Sequence, residues 1–248
     1  MAKAISLTHT AFSKALAGGQ IPLAFEPIHD LRRQAPEALL AGIGDAALEA
    51  FASREGRGRE LALYLFEAAV KELRARTKTG PGSLYVPLFV REIEDQTLAD
   101  SLRLIADRHS VVPEAITVIV PLEAYLAQAR TVLPALLRLR LVGFGITMAI
   151  DGVKTSSFRP LAELPISGLC LRGEETWRRM RTIGPGKLGA LGSWIGWAEA
   201  AGLKRLALDI ATITDEATAR LYGFSIVAGA HYAAGAAEQA PALRQATN

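Results

Sequence analysis

Short apolar runs alternate with stretches of helical periodicity along most of the chain, and this alternation limits the fold more than any other feature. AITVIV (115–120) is rich in β-branched residues and too short for a helix, which suits a strand buried on both faces. LAFEPI (23–28), LYVPLFV (84–90), GITMAID (145–151), ISGLCL (166–171), KRLALDI (204–210) and GFSIVAG (223–229) are runs of the same kind. Between them, LALYLFEAAVKELRAR (61–76) spaces its apolar residues for a helix and carries basic residues in its last turns, where they complement the helix dipole. EDQTLADSLRLIADRH (94–109) is amphipathic with an acidic start, and SWIGWAEAAG (193–202) reads as a further helix. LEAYLAQARTVLPALLRLRLV (122–142) is helical too, but Pro134 should kink or split it. Strands alternating with helices imply βα units around a parallel sheet. Seven or eight such units in 248 residues suit a TIM-type (β/α) barrel better than an open sheet. One domain is expected over residues 1–235, with an Ala/Gln-rich flexible tail at 236–248.

Several function classes receive no support. The net charge of +3 is spread in mixed signs along the chain, so a nucleic-acid partner is not expected. A single cysteine, Cys170, excludes an internal disulfide and favours a reducing compartment. The start, MAKAISLTHTAFSKAL, lacks the unbroken apolar core of a signal peptide. No apolar run reaches the roughly 20 residues needed to cross a bilayer. A cytoplasmic protein without a membrane partner is the expectation.

The chemistry on offer is sparse. His9, His29, His109 and His231 are scattered without paired spacing, so no metal kit is apparent. GPGKLG (184–189) matches a dinucleotide fingerprint in letters only: RRMRTI before it is no buried strand, and a loop is the better reading. There is no G-x-S-x-G elbow and no Walker lysine. Two carboxylates stand where strands end, Asp151 after GITMAI and Asp209 after KRLAL. A barrel would carry both to its C-terminal rim, where such enzymes keep their chemistry, although Asp at a strand–helix junction also caps helices.

The order of these motifs resembles the EAL domain family, bacterial phosphodiesterases of cyclic di-GMP and their inactive relatives. FEPIHDL (25–31) is similar to the family's Q-P-I-V-D-L strand, and VPEAITVIVPLEAYL (112–126) sits where the family has E-I-T-E. GFGITMAIDGVKTSS (143–157) resembles G-x-x-x-A-L-D-D-F-G-T-G, and FRPLAELPISGLCLR (158–172) resembles L-x-x-L-P-x-D-x-I-K-I-D. The segment from Ala198 to Tyr232 follows the closing A-E-G-V-E-T and G-x-x-x-x-Q-G-Y pattern. The resemblance implies an EAL-like barrel whose first strand can run antiparallel to the others.

It also implies what is missing. Family members hold two metal ions on carboxylates, and a lysine helps position the attacking water. Here Pro87 stands for the family asparagine, Ile119 for the first glutamate of E-I-T-E, and Gly152 for the second of the paired aspartates. Cys170 and Arg172 stand for the lysine and aspartate of K-I-D, Asp209 for the first glutamate of the closing motif, and Ala228 for its glutamine. Asp151, Asp209 and Glu37 of EALL are read as remnants of the family site, with no catalytic, metal-binding or cofactor-binding residue left and no cofactor expected.

The expected role is a non-catalytic signalling protein acting through a regulatory protein partner, or as a homodimer. The alternative is a cyclic di-GMP receptor that binds without hydrolysis. Glu26 in place of an amide and Ala41 in place of an arginine set a carboxylate against a dianionic ligand, which makes cyclic di-GMP a doubtful partner. Trp177, Arg178 and Arg181 of WRRMR are the candidate interface, because Trp and Arg dominate interface hot spots; the other reading is that Trp177 begins a core helix.

Overall fold

A computed structural model describes residues 8–33, 35–76, 82–88, 93, 95–151, 164–184 and 187–232. The expected tail at 236–248 lies outside the described residues, as does Gly152. Eight strands close into a barrel in chain order: β1 (Leu23–Asp30), β2 (Ala35–Ile43), β3 (Ser83–Pro87), β4 (Ile116–Pro121), β5 (Gly145–Asp151), β6 (Gly168–Arg172), β7 (Lys204–Ala207) and β8 (Ile226–Val227). Helix α1 (His9–Ala17) precedes β1, while α2 (Ala46–Arg54) and α3 (Gly58–Arg76) follow β2. After β3, β4 and β7 come α4 (Leu98–Arg108), α5 (Leu122–Leu141) and α8 (Ile213–Leu221), and α6 (Glu174–Ile183) and α7 (Ala190–Ala200) join β6 to β7. Among the described residues no helix is long and apolar enough to cross a membrane.

The first strand is the exception to a parallel barrel. β1 pairs antiparallel with both β2 and β8, while every pair from β2–β3 to β7–β8 is parallel. The N-terminal end of β1 therefore shares a rim with the C-terminal ends of the other strands, Leu23 lying opposite Ile43. That reversal carries Glu26 toward the rim where barrels keep their chemistry.

Strand pleating divides the core into two shells, because successive side chains point to opposite faces. Tyr85, Ile119, Ala149, Cys170 and Leu206 pack together inside the barrel. Their neighbours Val86, Val118, Met148 and Leu171 face outward into the layer under the helices. α3 covers that layer with Leu65, Phe66, Ala69, Val70 and Leu73, the spacing of a single buried helix stripe.

Two details depart from the sequence reading and a third agrees with it. β2 was not expected as a strand, since APEALLAGI is rich in alanine and begins next to proline; its strand geometry comes from pairing with β1 on one side and β3 on the other. The break in α5 falls at Gln128 (φ −143°, ψ 47°), upstream of Pro134, which lies within the restarted helix. RRMRTI belongs to α6, so the glycine segment after it joins two helices and lacks the strand-to-helix context of a dinucleotide fingerprint.

Candidate functional site

A cleft of about 590 Å³ opens at the C-terminal rim, within the range of about 300–1,000 Å³ typical of small-molecule sites. Its walls come from strand ends and from one helix. Glu26 reaches it from β1, Leu40 from β2, Pro87 from β3, Ile119 from β4 and Arg172 from β6, while Leu208 and Asp209 follow β7. Helix α2 adds Glu49 and Ser53. α2 starts here because Asp45 caps it, its side chain accepting from the Ala47 N–H at 2.9 Å.

The charges in the cleft are uneven: Glu26, Glu49 and Asp209 face it with Arg172. Glu26 is exposed to the cleft, and partial desolvation raises its carboxyl above the ordinary pKa, with the nearby charge of Asp209 adding to the rise. Desolvation also raises Glu49, against the opposing pull of Arg172. Both shifts favour the uncharged acid.

Asp209 is held in a strained left-handed backbone (φ 60°), an uncommon state for a residue with a Cβ. Its Oδ2 accepts the Gly173 N–H at 2.8 Å, tying the loop after β7 to the loop after β6. Asp151 ends β5 in register with Arg172, and its carboxyl lies close to Gly173. Asp151 and Asp209 thus share one edge of the rim, though only Asp209 lines the cleft.

Glu37 does not join them. It sits where β2 bulges, between Pro36 and Ala38, and Ala38 is level with Ser83 at the start of β3. This is the opposite, N-terminal end of the barrel, where Glu37 pairs with Lys204 Nζ at 3.6 Å. There the Tyr85 hydroxyl is pushed up to about 12, by burial first and by the Glu37 charge next. The residue standing across from Glu26 is Leu40. Glu37 is therefore not a remnant of the rim site.

The candidate interface is corrected as well. Trp177 is fully buried, donates its indole N–H to the Leu208 carbonyl at 2.7 Å and meets Phe224 edge-on at 5.9 Å. A ring with no exposed surface cannot anchor a partner; it braces Leu208, which lines the cleft. Arg178 is exposed and pairs with Glu175 on its own helix, while Arg181 pairs with the buried carboxyl of Asp215 at the start of α8. WRRMR is a structural element of α6.

Cys170 is enclosed in the barrel between Ala149 and Leu206, and burial pushes its thiol far above the usual range. It can neither attack nor polarise a water at the rim. The residues do not fit the two-metal centre that the motif order implies: Pro87 and Ile119 put apolar groups into the cleft, and no three of His, Cys, Asp and Glu come together to hold an ion among the described residues. Glu49 was missed by the sequence reading. The signal available was the helix start G-D-A-A-L-E, an Asp N-cap followed by an acid in the first turn, directly after β2.

The EAL domain family model matches residues 9–234. The chain belongs to the EAL domain family. No curated protein matches it. Among solved structures, the phosphodiesterase PaMucR in complex with c-di-GMP is similar at TM-score 0.77 and 19% identity, over 89% of this chain and 93% of that one. EAL enzyme Bd1971, in its form bound to cAMP and cyclic di-GMP, gives TM-score 0.74 and 14% identity, over 89% of this chain and 63% of that one. The Xanthomonas citri FimX EAL domain in complex with c-di-GMP gives 0.69 and 18%, over 88% of each chain. EAL folds of this kind hold cyclic di-GMP in all three structures, which overturns the expectation that the nucleotide is a doubtful partner.

Proposed function

We propose that this EAL domain is a cyclic di-GMP receptor that binds the nucleotide in the rim cleft without hydrolysing it. The observation that carries the reading is the cleft itself: about 590 Å³, open at the rim, with Leu40, Pro87, Ile119 and Leu208 as apolar walls and Arg172 as a cation for phosphate. An apolar pocket with a few convergent polar groups is the usual form of a ligand site. Arginine suits phosphate because its planar fork donates two parallel hydrogen bonds. The similar structures that hold cyclic di-GMP favour the same ligand.

Absence of hydrolysis rests on the chemistry of the walls. Cleaving a phosphodiester with two metal ions needs several oxygen ligands converging on them. Leu40, Pro87 and Ile119 supply none in the cleft, and the Cys170 thiol is sealed below it. The protein-partner reading loses its residue support with the burial of Trp177.

Calorimetric titration with cyclic di-GMP, with and without magnesium, tests the binding half. A micromolar or tighter Kd that magnesium leaves unchanged is expected. Chromatography of the same mixtures tests the other half. Linear dinucleotide formed faster than in a no-protein control would overturn it.

A further inference from the structure

Three carboxyl groups and one guanidinium are a poor match for a ligand with two phosphate charges, unless some of the carboxyls give up their charge. Glu26 comes from β1 and Glu49 from α2, and both line the cleft that Arg172 enters from the end of β6 and Asp209 from the loop after β7. β2 and β3 contribute only apolar or backbone surface to it, through Leu40, Gly42 and Pro87. Asp151, at the end of β5, stands behind Gly173 near the same edge.

We infer that Glu26 and Glu49 meet cyclic di-GMP as neutral acids, so that the nucleotide binds together with protons and binds more tightly as the pH falls. The inference rests on the nucleotide reading of the cleft. A protonated carboxyl has the shape of an amide, with one acceptor oxygen and one donor. It can therefore donate to a phosphate oxygen or a base carbonyl, where a carboxylate would only repel. No covalent bond of the nucleotide is made or broken; each carboxylate takes up one proton from solvent, forming a single O–H bond, as the dianion enters.

The free protein already leans this way, since partial desolvation raises both carboxyls and Asp209 adds to the rise at Glu26. A dianion placed beside them raises them further. The complex then carries more protons than the free protein, and by linkage affinity rises as pH falls. The window opens above the ordinary carboxylate value of 4.5 and extends to the pKa in the complex. None of the four histidines lines the cleft, and each is engaged elsewhere: His9 with Glu55, His109 with Glu67, His231 with Glu216, and His29 against Tyr232. The phosphodiester groups keep their charge throughout.

The test is the Kd of the full chain for cyclic di-GMP from about pH 5 to about pH 8, where folded proteins are generally most stable. Within the window, Kd should rise with pH by up to roughly tenfold per unit for each proton taken up. Glu26→Gln and Glu49→Gln should each flatten the profile and tighten binding at the alkaline end. Calorimetric enthalpies of the unmodified protein should vary with the ionisation enthalpy of the buffer, a direct count of protons that needs no variant. Measurable binding with a flat profile and no buffer dependence would overturn the proton linkage and leave the receptor reading standing. Binding by none of the three proteins at any pH would sink the receptor reading, and this inference with it.

Discussion

Arg172 and Glu26 face the same cleft, and their opposite signs pull the ligand chemistry in opposite directions. Arg172 is exposed at the end of β6, level with Asp151, so its guanidinium can turn toward an incoming phosphate at little cost in burial. Hydrogen bonds to charged groups contribute about 1.5–3 kcal/mol. Arg172→Ala should therefore weaken cyclic di-GMP binding on the order of 10- to 100-fold while the thermal midpoint hardly moves. Arg172→Lys should recover only part of the loss, because an ammonium cannot make the bidentate contact. Equal affinity in all three proteins would show that the phosphates sit elsewhere. Two of the rim carboxylates were legible at this scale, because Asp151 and Asp209 both close apolar runs. Glu37 was misplaced because letters spelling a motif do not report register: a β-bulge and a short hairpin leave it at the other end of the barrel.

Helix α6 shows why an element can mislead when read as a surface. Its charged residues are mostly exposed, yet Thr176, Trp177 and Met180 form one buried stripe against the barrel. The indole spans the layer to the loop after β7 and holds the Leu208 carbonyl. Trp177→Ala should cost about 3–5 kcal/mol in urea denaturation, the usual range for removing a large buried aromatic. It should also loosen nucleotide binding through the cleft wall it braces. An unchanged midpoint would mean the ring is not core. The strands that sequence made plain are those rich in Val, Ile and Leu, such as β4 and β5. β2 was hidden because alanine, proline and glycine have weak strand preference, and only its neighbours make it a strand. The short connection after Asp30 could have revealed its direction, since parallel neighbours need a crossover of a dozen or more residues.

The whole barrel depends on joining its last strand to its reversed first one, and β8 has only two residues with which to do so. Its hold on β7, the other neighbour of this short strand, is reinforced just beyond it. The Ile210 N–H donates to the Ala228 carbonyl at 3.0 Å, and the His231 N–H donates to the Ile210 carbonyl at 3.0 Å. Gly229 lies between those bonds at φ 146°, and a Cβ there would come under 3.0 Å from the backbone of Ile210. Neither a side-chain rotation nor a small shift relieves a clash with backbone. Gly56 offers a control, because it also has positive φ (70°) but no atom within 4 Å of a built Cβ. Gly56→Ala should cost about 1 kcal/mol from backbone conformation alone. Gly229→Ala should cost clearly more in urea denaturation, and should also impair nucleotide binding, because Ile210 adjoins Asp209 at the cleft. If the two variants lose equal stability, the close approach at Gly229 does not hold the barrel shut. The join between the β7 and β8 ends would then rest on its backbone hydrogen bonds.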